Sequence, residues 1–356
     1  MVRIEIDSIE PKTASPQQWA MYHVFRRRRH EETDPEDPLR DDESAEKLMK
    51  RRDPEWESLY FGAIEKEASA PLIGWLELAV TWPEALTHKT NSHMAWVEIQ
   101  VLTPHRHKGV GHALLAKAAE VAGSRNRSLL MGGTDEEDGR RFLDTLGAQV
   151  ALTWRENRLV LDQVDWGMVE GWVTEGSSRS PKTTLRFFES YLDDDLIEEF
   201  CEVANEVSNQ EPRGDLDLGD EFFTPEILKK RVDSFVDAGG TLRRALTVEE
   251  DGRISGYTVM GYHPSEGTLI RQYGTGVREV YRGRGLGKWV KAAMLLRIRE
   301  EFPEVRVVIT GNATTNAPML SINDRLGFKP YKDGIEAQIP LQDVEDFLAK
   351  GSSKGN

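Results

Sequence analysis

The chain of 356 residues contains a single cysteine, Cys201. A lone thiol has no intrachain partner, so a disulfide framework is excluded, and no cysteine cluster suggests zinc. Apolar residues are also scarce, at 38%, and no run approaches the ~20 needed to span a bilayer. Basic residues are in deficit: 46 Lys and Arg stand against 61 Asp and Glu, for a net charge of −15 and a pI near 5.1. Neutralising nucleic-acid phosphates requires a basic face, so that class of partner drops out. The nine tryptophans are scattered rather than spaced as a stacking platform. Acids at Glu5 and Asp7 stand where a secretory leader would carry cations. These shortages predict a water-soluble cytoplasmic protein with no membrane and no nucleic-acid partner.

What the chain does have is length for two domains and an internal repeat. Arg106-His-Lys-Gly109-Val-Gly111 reads like Arg282-Gly-Arg-Gly285-Leu-Gly287. Each is followed at similar distance by a Leu-Gly pair, Leu146-Gly147 and Leu326-Gly327, and preceded by matching segments at Gly74 and Gly256. Three landmarks in one order point to a tandem duplication.

Both halves read as mixed α and β. Strands are predicted at 2–6, 59–65, 73–80, 94–102 and 128–132, with helices at 16–30, 43–51, 109–124 and 137–146. Residues 150–154 and 158–161 read as a hairpin around Glu156-Asn157. The second half repeats this order, with strands at 244–249, 256–262, 268–277, 305–310 and 334–339. Its helices fall at 196–205, 225–238, 287–300 and 317–326. Residues 163–183, rich in Gly and Ser, have linker composition, and 351–356 reads as a disordered tail. The predicted division is therefore 1–162, a linker at 163–183, a second domain at 184–345, and a tail at 346–356.

The repeated pattern of strand, Arg-x-x-Gly-x-Gly and helix carries the chemistry. A helix N-terminus leaves several N–H groups unpaired and bears a partial positive charge, which makes it an anion site. Glycines let a pyrophosphate approach the backbone. A nucleotide P-loop fits poorly, because Trp289 stands where a magnesium-binding Ser or Thr belongs. A dinucleotide fingerprint would open its domain rather than fall late in it.

With Asn312-Ala-Thr-Thr-Asn316-Ala-Pro-Met and the closing Leu326-Gly327-Phe328, the second motif resembles the GNAT N-acyltransferases, and the whole chain resembles actinobacterial-type tandem members of that superfamily. The resemblance implies an α+β fold: two tandem GNAT domains, each a mixed, mostly antiparallel sheet flanked by helices. It implies transfer of an acyl group, usually acetyl, from coenzyme A to a small-molecule amine by direct attack. By the same resemblance, Val277, Arg278, Arg282, Gly283, Arg284, Gly285, Leu286, Gly287 and Lys288 would hold acetyl-CoA, with Asn312 and Asn316 beside the pantetheine. Arg106, Gly109 and Gly111 are the first-half equivalents.

Relatives use a strand Glu and a Tyr three residues before Leu-Gly, and both halves depart from this. Asn323 and Leu143 occupy the Tyr position; Gln272 and Tyr273 stand where the second half would carry the Glu, while the first half does have Glu98. Tyr273, Asn323 and Glu98 are accordingly the catalytic candidates, and Asp215, Asp217 and Gln272 the substrate-binding ones. The C-terminal half is expected to be catalytic and the N-terminal half auxiliary. The basic run Arg26-Arg27-Arg28-Arg29 reads as a helix end meeting its own acids, or as a dock for an acyl carrier protein donor. His93, His105, His107 and His112 lack ligand spacing, so no metal is expected. A non-catalytic CoA-binding module is the third reading.

Overall fold

The computed structural model describes residues 4–65 and 71–352. Its strands are β1 (Ile4–Ile9), β2 (Trp56–Glu65), β3 (Leu72–Thr81), β4 (Met94–Val101), β5 (Leu129–Thr134), β6 (Gln149–Val160), β7 (Thr184–Glu189), β8 (Thr241–Val248), β9 (Ile254–Tyr262), β10 (Leu269–Val277), β11 (Val307–Ala313) and β12 (Lys329–Pro340). The helices are α1 (Pro16–Thr33), α2 (Asp42–Lys50), α3 (His88–Asn91), α4 (Val110–Ser124), α5 (Glu137–Leu146), α6 (Trp166–Arg179), α7 (Ile197–Ser208), α8 (Pro225–Asp237), α9 (Leu286–Glu301), α10 (Ala317–Leu326) and α11 (Leu341–Ser352).

The chain divides into two compact units. Unit 1 holds Met1–Leu152, Gly214–Gly219 and Gly334–Asn356; unit 2 holds Thr153–Arg213 and Asp220–Asp333. In unit 1 the strand order is β1-β2-β3-β4-β5, closed by the last residues of β12. In unit 2 it is β7-β8-β9-β10-β11, closed by residues 154–160 of β6. One pair in each is parallel, β4 with β5 and β10 with β11, and the other described pairs are antiparallel. The α+β class is as the resemblance implied.

The sequence boundaries differ from these units because each sheet is completed by a strand from the other half of the sequence. Ile339, Leu341 and Val344, near the chain's end, join Leu76, Leu114 and Ala118 in the unit 1 core. Leu159 joins Ile270, Met294 and Val308 in that of unit 2. The hairpin expected around Glu156-Asn157 is therefore absent. Glu156 and Asn157 continue β6, opposite Gly311 and Thr310. Their polarity suits the strand, since Glu156 pairs with Arg158 at 2.8 Å and Asn157 is buried with its Nδ2 donating to the Arg155 carbonyl.

Most of the predicted linker is helix α6. Asp165 caps it by accepting from Met168 N. Val169, Trp172 and Gly176 form its buried face. A Cβ at Gly176 would collide with the Trp289 ring of α9, so this glycine marks a close helix–helix approach rather than chain freedom. Gly176→Ala should lower stability by about 1–3 kcal/mol in urea unfolding, although alanine has the better helix propensity. An unchanged or raised midpoint would mean that α9 yields freely there. The predicted tail is helical through Ser352, and residues 353–356 lie outside the described ones.

Candidate functional site

In both units the parallel pair separates midway. β4 pairs with β5 only from Met94↔Leu129 to Trp96↔Met131, yet β4 runs on to Val101 and β5 to Thr134. Gly132 marks the start of the gap, where a Cβ would strike the Val97 carbonyl oxygen. β10 pairs with β11 only from Leu269↔Val307 to Arg271↔Ile309, and a bulge follows between Gln272 and Thr275. Strands that part this way leave backbone donors and acceptors along one edge of each, a template for an extended ligand.

The glycine turns lie at the end of each parting strand. Gly109 (φ 87°) caps α4 and Gly285 (φ 83°) caps α9; His107 (φ 57°) and Gly283 (φ 82°) also take positive φ. Left-handed residues alternating with others turn successive N–H groups toward one point, an anion-binding arrangement. A Cβ on Gly109 or Gly283 would meet nothing within 4 Å, so the space over the turn is open. The motif arginines first serve the turn itself: Arg106 Nε donates to the Val101 carbonyl at 3.1 Å, and Arg282 Nε to that of Val277 at 3.2 Å.

Unit 1 adds a cavity of about 170 Å³ beside the turn, lined by Gln100, Val101, Arg106, Gly111, Thr134 and Phe142 among others. Its charges are matched: Arg106 donates to Glu136 at 2.6 Å and Asp138 at 3.0 Å, and Arg29 pairs with Glu136. That hydrogen bond holds the Asp138 carboxyl below its ordinary range. Burial lowers the Arg29 pKa, with Arg106 adding to the effect. His107 and Lys108 stay exposed on the turn.

Next to the cavity, the register lines up Tyr60, Glu77 and Glu98 across β2, β3 and β4. Glu98 accepts a hydrogen bond from the cavity residue Gln100. Glu77 has its pKa raised by burial and by the charge of Glu98, against hydrogen bonds from Ser58 and Tyr60. The Tyr22 ring of α1 lies tilted 4.8 Å from Trp75 on β3, and Tyr60 lies 5.7 Å from the same ring. Burial drives the Tyr22 hydroxyl up to about 12. Two carboxylates face one another across strands among aromatic rings, where like charges oppose each other unless a cation joins them. Of this group the sequence reading singled out only Glu98. Glu77 carried one signal, a lone charge inside the apolar run Ile73–Val80.

In unit 2 the candidates fare differently. Gln272 is 5% exposed and turned inward, donating to Thr258 and Thr275, so it does not face a substrate. Tyr273 is 49% exposed. Arg278 is 7% exposed and ion-paired with Glu199, Glu202 and Glu206 of α7; those carboxylates, not phosphates, hold it. Arg284 is tied to Glu249 and Thr183, and Lys288 lies 3.7 Å from Glu175. Arg282 also donates to Gln210. Leu286 is buried at the helix start, and a Cβ on Gly287 would touch Ile322. Asn316 caps α10 by accepting from Met319 N at 3.3 Å. Asn323 is buried and joined to Asn312 and Lys291.

Asp215 and Asp217 belong to unit 1, tethered by Gln338 and His93. His93 precedes β4, whose far end carries the glycine turn, so these acids stand away from the cavity. Three arginines of the basic run are ion-paired within the chain, Arg26 and Arg27 with Asp42 and Arg29 with Glu32 and Glu136, while Arg28 is exposed. These pairs are the ones the helix-end reading calls for. Among the described residues no His, Cys, Asp and Glu group could hold a metal, and no helix is long and apolar enough to cross a membrane.

Residues 19–147 match the model of the acetyltransferase (GNAT) family. No curated protein is similar to the chain by sequence. Among solved structures, a tandem GNAT protein from the clavulanic acid biosynthesis pathway superposes with a TM-score of 0.76 at 19% identity, covering 95% of this chain and 99% of that one. A GCN5-related N-acetyltransferase from Sphaerobacter thermophilus gives 0.63 at 14% identity, covering 95% and 96%. Saccharomyces cerevisiae N-myristoyltransferase with bound myristoyl-CoA gives 0.56 at 13%, covering 95% and 79%.

Proposed function

From a GNAT acetyltransferase domain at residues 19–147, in a chain with the tandem GNAT fold, we propose that the protein transfers an acyl group from coenzyme A to a cationic small-molecule amine, and that transfer takes place in unit 1. One observation carries the reading: the Tyr60, Glu77 and Glu98 row stands next to the cavity at the turn. Unit 2 has Val259 three places after Gly256, where unit 1 has Glu77 three places after Gly74, and no carboxylate on β10. The earlier expectation of a catalytic C-terminal half rested on the wording of its motif. The side chains around the first motif support unit 1 better.

The acyl-CoA, when bound, supplies an activated thioester. The N–H groups at the start of α4 hold its phosphates, with His107 and Lys108 exposed alongside. The free edge of β4 beyond Trp96 receives the pantetheine. Glu77 and Glu98 draw in the ammonium group of the acceptor and relieve their own repulsion. Glu98, beside Gln100 at the cavity, accepts the proton that frees the amine's lone pair. The aromatic rings of Tyr22, Tyr60 and Trp75 favour a cationic acceptor over a neutral one.

The test is thiol release from acetyl-CoA against matched acceptors. Primary amines should be acetylated at least tenfold faster, in kcat/KM, than alcohols of the same skeleton. Equal or greater turnover with hydroxyl or anionic acceptors would overturn the amine reading.

A further inference from the structure

Lys291 of α9 is 1% exposed and lies in the interior of unit 2. Its Nζ donates to Asn323 Oδ1 at 2.6 Å and approaches Met319 Sδ at 3.8 Å. Asn323 Nδ2 in turn donates to Asn312 Oδ1 at 2.8 Å. Asn312 lies on β11 beyond its last pairing with β10, on the stretch where the strands have parted. The chain Lys291, Asn323, Asn312 thus runs from the core to the wall of the gap.

The equivalent positions in unit 1 are Leu115, Leu143 and Thr134. Two apolar residues there become a lysine and an asparagine here, and the two changes meet in one hydrogen bond. A buried polar group is costly unless satisfied, so the interior of unit 2 has exchanged apolar packing for a polar connection to the gap.

Counting hydrogens defines the state of the amine. Neutral Lys291 has two N–H donors, one for Asn323 and one directed at Met319, and a lone pair left over. An ammonium would have a third donor. Facing Nζ are Met319 and Asn323 from α10 and the Phe328 ring, 5.2 Å away; none of them is titratable. The nearby cation of α10, Arg325, stacks on Trp172 instead. Burial accordingly brings the amine down to about 7.

An amine in this state gains a charge when an anion arrives, and the anion must itself come from a weak acid. A thiol is such a group, with an ordinary value near ~8.5; opposite charges placed together lower its pKa and raise that of the amine. We propose that unit 2 is a proton-linked site for free coenzyme A, in which a thiolate seated against Asn312 is balanced, through Asn323, by an ammonium on Lys291. The S–H bond breaks, an N–H bond forms at Nζ, and no net charge is added. An acyl thioester has no proton to give, so this cleft prefers the product over the donor. The proposal rests on the reading that the unit 2 gap admits coenzyme A.

The experiment uses the full-length Gly109→Glu protein, in which the unit 1 turn is blocked, titrated calorimetrically with coenzyme A and with acetyl-CoA at neutral pH. One site should remain, tighter for coenzyme A by about tenfold, the equivalent of one pKa unit. Ultraviolet absorbance of a thiolate should appear on binding. Lys291→Met, apolar and of similar length, should abolish both the preference and the thiolate signal while retaining binding. Binding with neither signal, or signals unchanged in Lys291→Met, would overturn the role of Lys291. No binding in the Gly109→Glu background would instead overturn the reading of unit 2 as a coenzyme A site, and the proposal with it.

Discussion

Gly109→Glu should abolish acyl transfer, lowering kcat/KM by at least ~100-fold, or ~2.7 kcal/mol. The carboxylate would stand at the cap of α4, where the proposed function puts the phosphates of the donor, and turn a site of positive potential into one that repels them. The fold should tolerate it. A Cβ at this position meets no atom within 4 Å, and the strain of a side chain at φ 87° costs about 1–2 kcal/mol. Thermal unfolding separates the two effects, since a small drop in Tm with complete loss of turnover is the signature of a blocked site. Calorimetry should lose the unit 1 equivalent of acetyl-CoA. Turnover that survives in Gly109→Glu and disappears in Gly285→Glu would transfer the chemistry to unit 2.

Glu98→Gln should reduce kcat by about 10²–10⁴-fold, the usual contribution of a positioned base, because the amide keeps the hydrogen bond with Gln100 and loses the ability to accept a proton. Glu77→Gln should act in a different way. The carboxyl of Glu77 is raised by burial and by the charge of Glu98. A raised carboxyl contributes stability that is present below its unfolded pKa and lost as the pH climbs through the folded one. At neutral pH its charge therefore works against the fold, and Glu77→Gln should stabilise the ligand-free protein by up to about 1 kcal/mol. KM for a cationic amine should rise, since one of its two partners has gone. A protein less stable after Glu77→Gln, with an unchanged KM for the amine, would show that the pair is not a strained acceptor site.

Some of this was open to a reading of residues alone. The two Gly-x-Gly turns are local objects. A helix start and a left-handed glycine at its cap are specified within six residues, and both copies have the conformation that their spacing implied. The helices at 137–146 and 317–326, each stopped by a left-handed glycine, were legible for the same reason. Lys291 could have been found too, because the internal repeat sets it against Leu115. A charge aligned with a core leucine is a signal that single-motif reading passes over.

Other features were not local. Gly176, among serines and glycines, has the composition of a linker; it is the Trp289 ring, more than a hundred residues later in the chain, that makes it a packing contact. Arg278 follows directly on β10 and looked like a phosphate ligand until α7 brought three carboxylates to it. Glu156-Asn157 has turn composition and is extended because β11 offers it a ladder.

By itself, then, the sequence determined the duplicated α+β architecture, the two glycine turns and the acid-rich charge balance. These follow from periodicity, backbone freedom and net charge, which act over a few residues or over all of them. Only the tertiary structure decided which strands complete each sheet, which acids stand opposite one another, and which cations are already bound to carboxylates. Those outcomes depend on pairing between residues far apart in the chain, and a side chain's chemistry is set by the neighbour it meets there.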